Sequence, residues 1–255
     1  STLLHDRYKA DIQIVAVCDL LKGSIADPAG FDPQAILNHI RSDVDLKHFP
    51  APYKDWDARE TIKKSGANVL VELSYTDLET GEPALSHIVQ ALELGMHVAT
   101  TNKGPAALHF PRLLALSESY GGSIGVEGTV MSGTPTLTLG MNSLIAAGIT
   151  RIQGILNGTT NYILGEMEKG AEYSSALEDA QAQGYAEADP TGDVDGHDAA
   201  AKVVILANLV MGQSMTLGDV NCLGISGITK TDIEAALEAD QRWKLIGTVD
   251  KRDGE

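Results

Sequence analysis

Five acidic residues and one lysine lie within residues 184–202 of this chain. The second half of that segment leads into an apolar run, residues 199–207, whose composition predicts a buried helix. Asp198 and Lys202 are four residues apart, and this spacing places two side chains on one face of a helix. Charged groups at the mouth of a buried helix are costly unless they are paired. The segment is therefore predicted to present carboxylates beside a lysine where that helix begins.

Three interpretations of this acidic segment are open. The first is a solvated loop that ends in a surface ion pair, which is common on helices. The second is a calcium loop. With Gly196 at its sixth position, however, the first and twelfth positions are Thr191 and Lys202, where such a loop needs acids. The third is a site that binds a small zwitterion and offers it a proton from lysine. Residues elsewhere in the chain are needed to distinguish the first interpretation from the third.

The composition narrows the class of protein. The chain has 255 residues, of which 43% are hydrophobic, enough for a sizeable core in one large domain or two small ones. Its 35 acidic and 19 basic residues give a net charge of −16, which repels nucleic acid and anionic lipid, so neither is an expected partner. Neither a His/Cys metal-site spacing nor an apolar run of membrane-spanning length occurs in the sequence. We expect a cytoplasmic protein with a small-molecule ligand.

Strand and helix patterns alternate through the first half of the chain. Apolar runs predict strands at 11–19, 67–73, 96–101 and 123–127, with helices at 33–41, 57–65, 83–94 and 105–120, and a loop at 22–32. Such alternation is typical of an α/β fold with a Rossmann-like, doubly wound parallel sheet, in which ligands bind at the carboxyl ends of the strands. Polar residues follow these predicted strands, namely Asp19, Ser74, Tyr75, Asn102, Lys103 and Glu127.

The strand ends suggest a dinucleotide site, although the usual fingerprint is not in the chain. An acid at the end of the first strand can bind the adenosine ribose, but Asp19 fits a simple strand cap equally well. A Gly-x-Gly-x-x-Gly turn does not occur among the 255 residues. We expect that this turn and the first strand of the sheet precede the first residue given.

From residue 128 onward the pattern is mixed. A turn-prone segment, 129–135, leads into a predicted helix at 136–147. Further helices are predicted at 161–169, 174–183, 195–210 and 229–239, and strands at 150–156 and 243–249. Strand character is also predicted within 215–229, and a threonine within 157–160 is predicted to cap the following helix. The chain should therefore form a dinucleotide-binding domain, 1–127, truncated at its start, and an α+β substrate domain, 128–255, truncated at its end.

Three separated motifs, in order, resemble one family. They are Gly-Ile-Leu-Asn-Gly-Thr-Thr-Asn-Tyr-Ile at 154–163, Ala-Gln-Ala-Gln-Gly-Tyr-Ala-Glu-Ala-Asp-Pro at 180–190, and Asp-Val-Asp-Gly-His-Asp-Ala-Ala-Ala-Lys at 193–202. The segments 100–103 and 126–134 are similar to that family as well. Together they resemble the homoserine dehydrogenases over nearly the whole chain.

The resemblance implies a reaction and roles for individual residues. The reaction is the NAD(P)H-dependent interconversion of aspartate 4-semialdehyde and homoserine, on the route to threonine and methionine. By position, Lys202 would donate the proton, Asp198 and Glu187 would hold polar groups of the substrate, and Lys103 would lie between substrate and nicotinamide. Gly184 would approach the cofactor. The resemblance also implies a homodimer formed through residues 128–255.

The resemblance further implies a monovalent cation such as sodium. Its ligands would be mainly backbone oxygens, those of Glu127, Val130, Ser132 and Thr134. The preference between NAD and NADP remains open at this point. Asp19 favours NAD because a carboxylate repels a 2′-phosphate, whereas Lys22 nearby weakens that repulsion.

The chemistry agrees with the resemblance, because hydride transfer to an aldehyde places negative charge on oxygen and a positioned ammonium can stabilise and protonate it. We hypothesise that Asp198 binds the ammonium group of the substrate. Three alternatives stay open: another nicotinamide-dependent oxidoreductase of an amino-acid-like substrate, a non-catalytic nucleotide-sensing module, and part of a fused kinase–dehydrogenase.

Overall fold

The computed structural model describes residues 2–42 and 44–251. Its strands are β1 (Ile14–Asp19), β2 (Gly23–Phe31), β3 (Tyr53–Lys54), β4 (Val69–Glu72), β5 (His97–Thr100), β6 (Ile124–Gly125), β7 (Arg151–Gly154) and β8 (Gly247–Asp250). Its helices are α1 (Thr2–Tyr8), α2 (Pro33–Arg41), α3 (Ala58–Lys64), α4 (Ala84–Glu93), α5 (Lys103–Leu108), α6 (Phe110–Tyr120), α7 (Thr136–Thr138), α8 (Gly158–Glu168), α9 (Tyr173–Ala182), α10 (Thr191–Val194), α11 (His197–Met211) and α12 (Lys230–Glu238).

The chain divides into two compact units. The first is drawn from Ser1–Glu72, Pro83–Ala99 and Pro111–Gly125. The second is drawn from Leu73–Glu82, Thr100–Phe110 and Val126–Glu255, so two short segments of the first half of the chain belong to the second unit. The division into domains 1–127 and 128–255 stays a prediction.

One sheet of the first unit is antiparallel. β1 pairs with β2, and β2 pairs with β3, around a core that includes Ile25, Leu46 and Phe49. The loop predicted at 22–32 was wrong, because most of this segment is β2. Its glycines, aspartates and proline argued against a strand, but pairing with β1 satisfies the backbone and buries Ser24, Ile25 and Ala26. β1 therefore begins a hairpin rather than a parallel crossover.

The second sheet of this unit has the strand order β4-β5-β6, and β5 and β6 are parallel. α4 covers it with an apolar face that includes Ile88 and Leu92, neither of which is exposed to solvent. The helix forms over Ala84–Glu93 as its periodicity predicts, beginning after Pro83. Strands that alternate with helices in this way confirm the α/β, Rossmann-like class.

The second unit is α+β and is built around α11. Eight residues of this helix are buried, and its neighbours are α5, α10 and the antiparallel pair β7–β8. α8, α9 and α12 surround a separate core that includes Ile163, Leu164 and Met167. The strand character predicted within 215–229 was wrong, because the structure has a short helical turn, Leu217–Asp219, and irregular backbone there. In the described part of the chain, helices long and apolar enough to cross a membrane are absent.

Candidate active site

Asp198 and Lys202 form a partly buried ion pair on the first turns of α11. The helix begins after Gly196, whose φ of +88° is a left-handed conformation that suits glycine. Lys202 Nζ donates to Asp198 Oδ2 at 2.6 Å and to the carbonyl oxygen of Leu156 at 2.7 Å. The two side chains are only 14% and 17% exposed, against 46% and 43% for the surface i,i+4 pair of Lys64 and Glu60. The interpretation as a solvated surface pair is therefore wrong.

Lys103 adds a second ammonium group to the same carboxylate. It is the first residue of α5, and its Nζ lies 3.3 Å from Asp198 Oδ1. Lys103 and Lys202 therefore approach opposite oxygens of Asp198, although the two lysines are far apart in the sequence. Burial on its own raises the pKa of Asp198. The charges and hydrogen bonds of Lys202, Asn157 and Lys103 outweigh burial, so this pKa lies below its usual value and the carboxylate is ionised at neutral pH.

Asn102 fixes the start of α5 and hence the position of Lys103. Its buried side chain donates to the carbonyl oxygens of Ser74 at 3.1 Å and of Tyr75 at 2.9 Å, and it caps the helix by accepting from Gly104 N at 3.2 Å. A Cβ on Gly104 would lie 2.2 Å from the Asp77 carbonyl oxygen, so only glycine permits this close approach. The structure thus brings together four residues that the sequence analysis selected from two predicted strand ends, namely Ser74, Tyr75, Asn102 and Lys103.

Asn157 is a site residue that the sequence analysis did not select. The N-cap of α8 is Asn157 and not a threonine, since its Oδ1 accepts from Thr160 N at 2.8 Å. Its Nδ2 donates to Asp193 Oδ1 at 2.6 Å and to Asp198 Oδ2 at 2.9 Å. The sequence did contain a signal for Asn157. Asparagine is a preferred N-cap residue, and Asn157 lies between a predicted strand and a predicted helix, within a motif that resembles the family.

Two predicted residues lie on the exposed segment after α9. Gly184 has a φ of +76°, and its N–H donates to the carbonyl oxygen of Gln181. The Gln181 side chain also holds the backbone of Glu187, with Nε2 3.0 Å from that carbonyl oxygen. The carboxylate of Glu187 is exposed and makes no hydrogen bond or ion pair within residues 2–42 and 44–251. The Gln181 side chain therefore fixes the backbone of this segment, but the structure shows no contact between Glu187 and Asp198 in the part of the chain that it describes.

Asp19 lies at the end of β1, in the first unit. Its Oδ1 accepts from the backbone N–H groups of Leu21 and Lys22, both at 2.8 Å. One carboxylate oxygen therefore stabilises the turn into β2, as in the strand-cap interpretation. Oδ2 accepts no hydrogen bond from the described part of the chain, so a ribose contact also remains compatible with this geometry.

The segment predicted to hold a cation begins at Glu127. Its carboxylate accepts from the N–H groups of Leu137 at 2.9 Å and Thr138 at 2.8 Å, and from the Thr138 hydroxyl. Burial raises the pKa of Glu127, but these hydrogen bonds together lower it below its usual value. Met131 and Ser132 both have positive φ, +58° and +51°, which is costly for residues with a Cβ.

Backbone ligation is the form of cation binding that this segment could supply. In the part of the chain that the structure describes, groups of three or more His, Cys, Asp or Glu side chains that could hold a metal ion are absent. The carbonyl oxygens of Glu127 and Thr134 each accept a backbone hydrogen bond, from Val130 and Thr136, and each retains a second lone pair. The roles of Glu127, Val130, Ser132 and Thr134 stay predictions.

The residues present fit part of a dinucleotide. The Asn102 side chain binds the backbone carbonyl groups of Ser74 and Tyr75 and so holds this backbone beside the start of α5, where Lys103 lies. Polar groups in this arrangement suit a nicotinamide and its ribose. The 255 residues contain no Gly-x-Gly-x-x-Gly turn, so we assign none of them to the pyrophosphate.

A partly buried lysine held by a carboxylate, in a chain with a Rossmann-like fold, fits a nicotinamide-dependent oxidoreductase. Known proteins indicate the same class. The homoserine dehydrogenase family profile matches residues 135–252. The NAD(+)-dependent homoserine dehydrogenase of Pseudomonas canavaninivorans is 44% identical over 238 residues, 93% of this chain and 68% of that protein. The homoserine dehydrogenase of Methanocaldococcus jannaschii is 38% identical over 96% of this chain and 72% of that protein.

A solved structure agrees with these relatives. A hyperthermophilic archaeal homoserine dehydrogenase mutant in complex with NADPH aligns with a TM-score of 0.81 and 25% identity, covering 98% of this chain and 74% of that chain. This chain belongs to the homoserine dehydrogenase family.

Proposed function

We propose that this protein catalyses the reversible, NAD(P)H-dependent reduction of L-aspartate 4-semialdehyde to L-homoserine, a step toward threonine and methionine. The observation that carries the assignment to this site is the position of Lys202. Its ammonium group has three N–H donors, and two of them are bound by Asp198 and the Leu156 carbonyl. The third has no acceptor among the described residues, and it is the donor available to a substrate carbonyl oxygen.

Lys202 serves as the general acid. Bound NAD(P)H supplies the hydride that the carbonyl carbon accepts. As negative charge develops on the carbonyl oxygen, Lys202 donates a proton to it and becomes a neutral amine, which then recovers a proton from water. Asp198 and the Leu156 carbonyl hold Nζ in one orientation, so this proton transfer requires little reorganisation.

Asp198, Glu187 and Lys103 bind and orient the substrate. Asp198 Oδ1 contacts Lys103 at 3.3 Å and has room for a further donor, which we assign to the ammonium group of the substrate. Glu187 contributes a second carboxylate from its exposed segment, and Lys103 lies between substrate and nicotinamide. Gly184, Ser74, Tyr75 and Asn102 support the cofactor.

Further features of the enzyme belong to the same proposal. Asp19 binds the adenosine ribose through Oδ2. Its carboxylate repels a 2′-phosphate and so favours NAD, whereas Lys22 nearby weakens that repulsion. A monovalent cation such as sodium binds the backbone of 127–134. The protein works as a cytoplasmic homodimer whose interface is formed by residues 128–255.

The decisive experiment follows NADH and NADPH oxidation by the purified protein with aspartate semialdehyde. We expect turnover by wild type and a loss of kcat of about 10²- to 10⁴-fold in Lys202→Ala, the usual contribution of a general acid. Lys64→Ala is the matched control, because Lys64 forms an i,i+4 pair of the same type on an exposed surface. Cofactor binding by wild type without turnover would reject the proposal in favour of a nucleotide-sensing module.

A further inference from the structure

The junction between β7 and α8 contacts the Asp198–Lys202 pair from outside α11. The carbonyl oxygen of Leu156 accepts from Lys202 Nζ at 2.7 Å, and the next residue, Asn157, donates to Asp198 Oδ2 at 2.9 Å. Two consecutive residues therefore bind both members of the pair. The orientation of the pair is consequently set by the β7–α8 junction as well as by helical spacing.

The orientation of the Asn157 amide is determined by its partners. Oδ1 accepts from both Thr160 N at 2.8 Å and Thr160 Oγ1 at 2.9 Å, so this end of the amide faces donors. Nδ2 faces only acceptors, the carboxylate oxygens of Asp193 and Asp198. Exchanging the two ends would place an oxygen against two carboxylates and an NH₂ group against an N–H. Since Asn157 as a residue is only 4% exposed, its amide has a single satisfactory arrangement.

Asn157 also joins two carboxylates. Its Nδ2 group donates one hydrogen bond to Asp193, which lies on α10, and one to Asp198, which lies on α11. Asp198 has two lysines beside it, whereas Asp193 makes no ion pair within the described residues. Like charges held close together in a partly buried site repel, and a shared donor offsets that repulsion.

We propose that Asn157 is a positioning residue of this enzyme, which orients Asp198 toward Lys202 and holds Asp193 and Asp198 together through one amide group. The inference deepens the proposed function, because it depends on the assigned role of Lys202 as proton donor. Capping α8 and orienting the carboxylates are separate tasks of the two ends of one side chain. They can therefore be separated by substitution.

Asn157→Ser is the central variant. Serine is as good an N-cap as asparagine, so α8 should remain capped, but serine is too short and has too few donors to bind both carboxylates. We expect a folded protein with a lower melting temperature, because two hydrogen bonds to carboxylates are lost, together with an unchanged KM for the cofactor. We also expect a fall of about 10- to 100-fold in kcat, since small misplacements of reacting groups have effects of this size. Asn157→Asp keeps the cap and adds a third carboxylate, so its kcat should fall further.

Asp32→Asn is the control, because it changes the N-cap residue of another helix that lies outside the proposed site. Asp32 caps α2, in the first unit, by accepting from Gln34 N at 3.0 Å. This variant should keep the wild-type kcat. Wild-type kcat in Asn157→Ser would overturn the proposal and leave Asn157 as a helix cap alone.

A second measurement does not depend on turnover. Carbon-13 NMR titration of Asp198 should give a higher pKa in Asn157→Ser than in wild type, because a hydrogen bond to the charged form has been removed. An equal pKa in both proteins would also overturn the positioning role. If wild type lacks turnover but the pKa of Asp198 differs between the two proteins, the proposed reaction fails while the orientation of Asp198 by Asn157 stands.

Discussion

Asp198 contacts three other residues of the site, Lys103, Asn157 and Lys202. Its Oδ2 accepts from Lys202 and Asn157, and its Oδ1 lies 3.3 Å from Lys103. A partly buried carboxylate with several charged partners is expensive to disturb from one side, because a removed partner leaves the others unpaired. The same carboxylate both orients the proton donor and, in our proposal, binds the ammonium group of the substrate.

Replacing Asp198 by asparagine tests the second of these roles. The amide has nearly the same shape but cannot attract the ammonium group of the substrate by charge. A hydrogen bond to a charged group contributes about 1.5–3 kcal/mol, so we expect the KM for aspartate semialdehyde to rise about 10- to 100-fold, with a smaller effect on kcat. Steady-state kinetics measure both.

A control in the same acidic segment is available for that measurement. Asp189→Asn changes an exposed carboxylate that caps Thr191, and it should leave the KM for the semialdehyde unchanged. An unchanged KM in Asp198→Asn would rule out Asp198 as the substrate ammonium site.

At the scale of elements, α5 and α11 form the frame of the site. α11 supplies Asp198 and Lys202 from one partly buried face, and α5 supplies Lys103 from its first residue. Gly104 allows α5 to pack tightly against the segment 73–82, because an added Cβ would lie 2.2 Å from the Asp77 carbonyl oxygen and 3.0 Å from Gly81 Cα. The position of Lys103 therefore depends on the absence of a side chain at the next residue.

Gly104→Ala should move α5 and thereby the Lys103 ammonium group. Overpacking of this kind costs about 1–3 kcal/mol, and we expect that loss in the free energy of unfolding together with a lower kcat/KM. Urea unfolding and steady-state kinetics provide the two measurements.

Gly165→Ala is the matched control for this prediction. Gly165 lies inside α8, and a Cβ there would meet nothing within 4 Å. Alanine at that position should stabilise the protein by up to about 1 kcal/mol, because it favours the helix. If the two variants had equal stability and activity, the close approach at Gly104 would be unimportant.

At the scale of the whole molecule, acidic groups dominate the charge, which is −16 at pH 7. Several of these carboxylates cap turns or bind hydroxyl groups, and these hydrogen bonds lower their pKa values in the folded state: Asp77, Asp179, Asp189, Asp219 and Asp232. A folded-state pKa below the unfolded value, about 3.9 for aspartate, contributes stability above that pH. That stability is lost as the pH falls through the folded-state pKa.

Acid should therefore destabilise this protein even though acid also reduces its net charge. We expect the urea midpoint to fall between pH 6 and pH 3. Asp219→Asn should show a smaller fall than wild type. The hydrogen bonds from Thr216 N and Oγ1, each 2.7 Å from Asp219 Oδ2, would then go to an amide that does not titrate. A midpoint at pH 3 equal to or above that at pH 6 would contradict this prediction, because relief of charge repulsion would then offset the loss of these hydrogen bonds.

Local patterns in the sequence were sufficient for much of this fold and for part of the site. The helix periodicity of α4 and α11 and the apolar strand runs are short-range signals, and they predicted the α/β class. The spacing of Asp198 and Lys202 predicted a pair on one helix face for the same reason. Three ordered motifs predicted the family.

Only the tertiary structure decided which distant residues meet and which are buried. Residues 23–31 form a strand because β1 is there to pair with them, a partner that their own composition does not reveal. Lys103 reaches Asp198 because α5 packs on α11, and Asn157 bridges two carboxylates because the β7–α8 junction lies beside both. The sequence by itself determined residue types and local spacing, whereas the contacts that make these groups a site depend on how the chain packs.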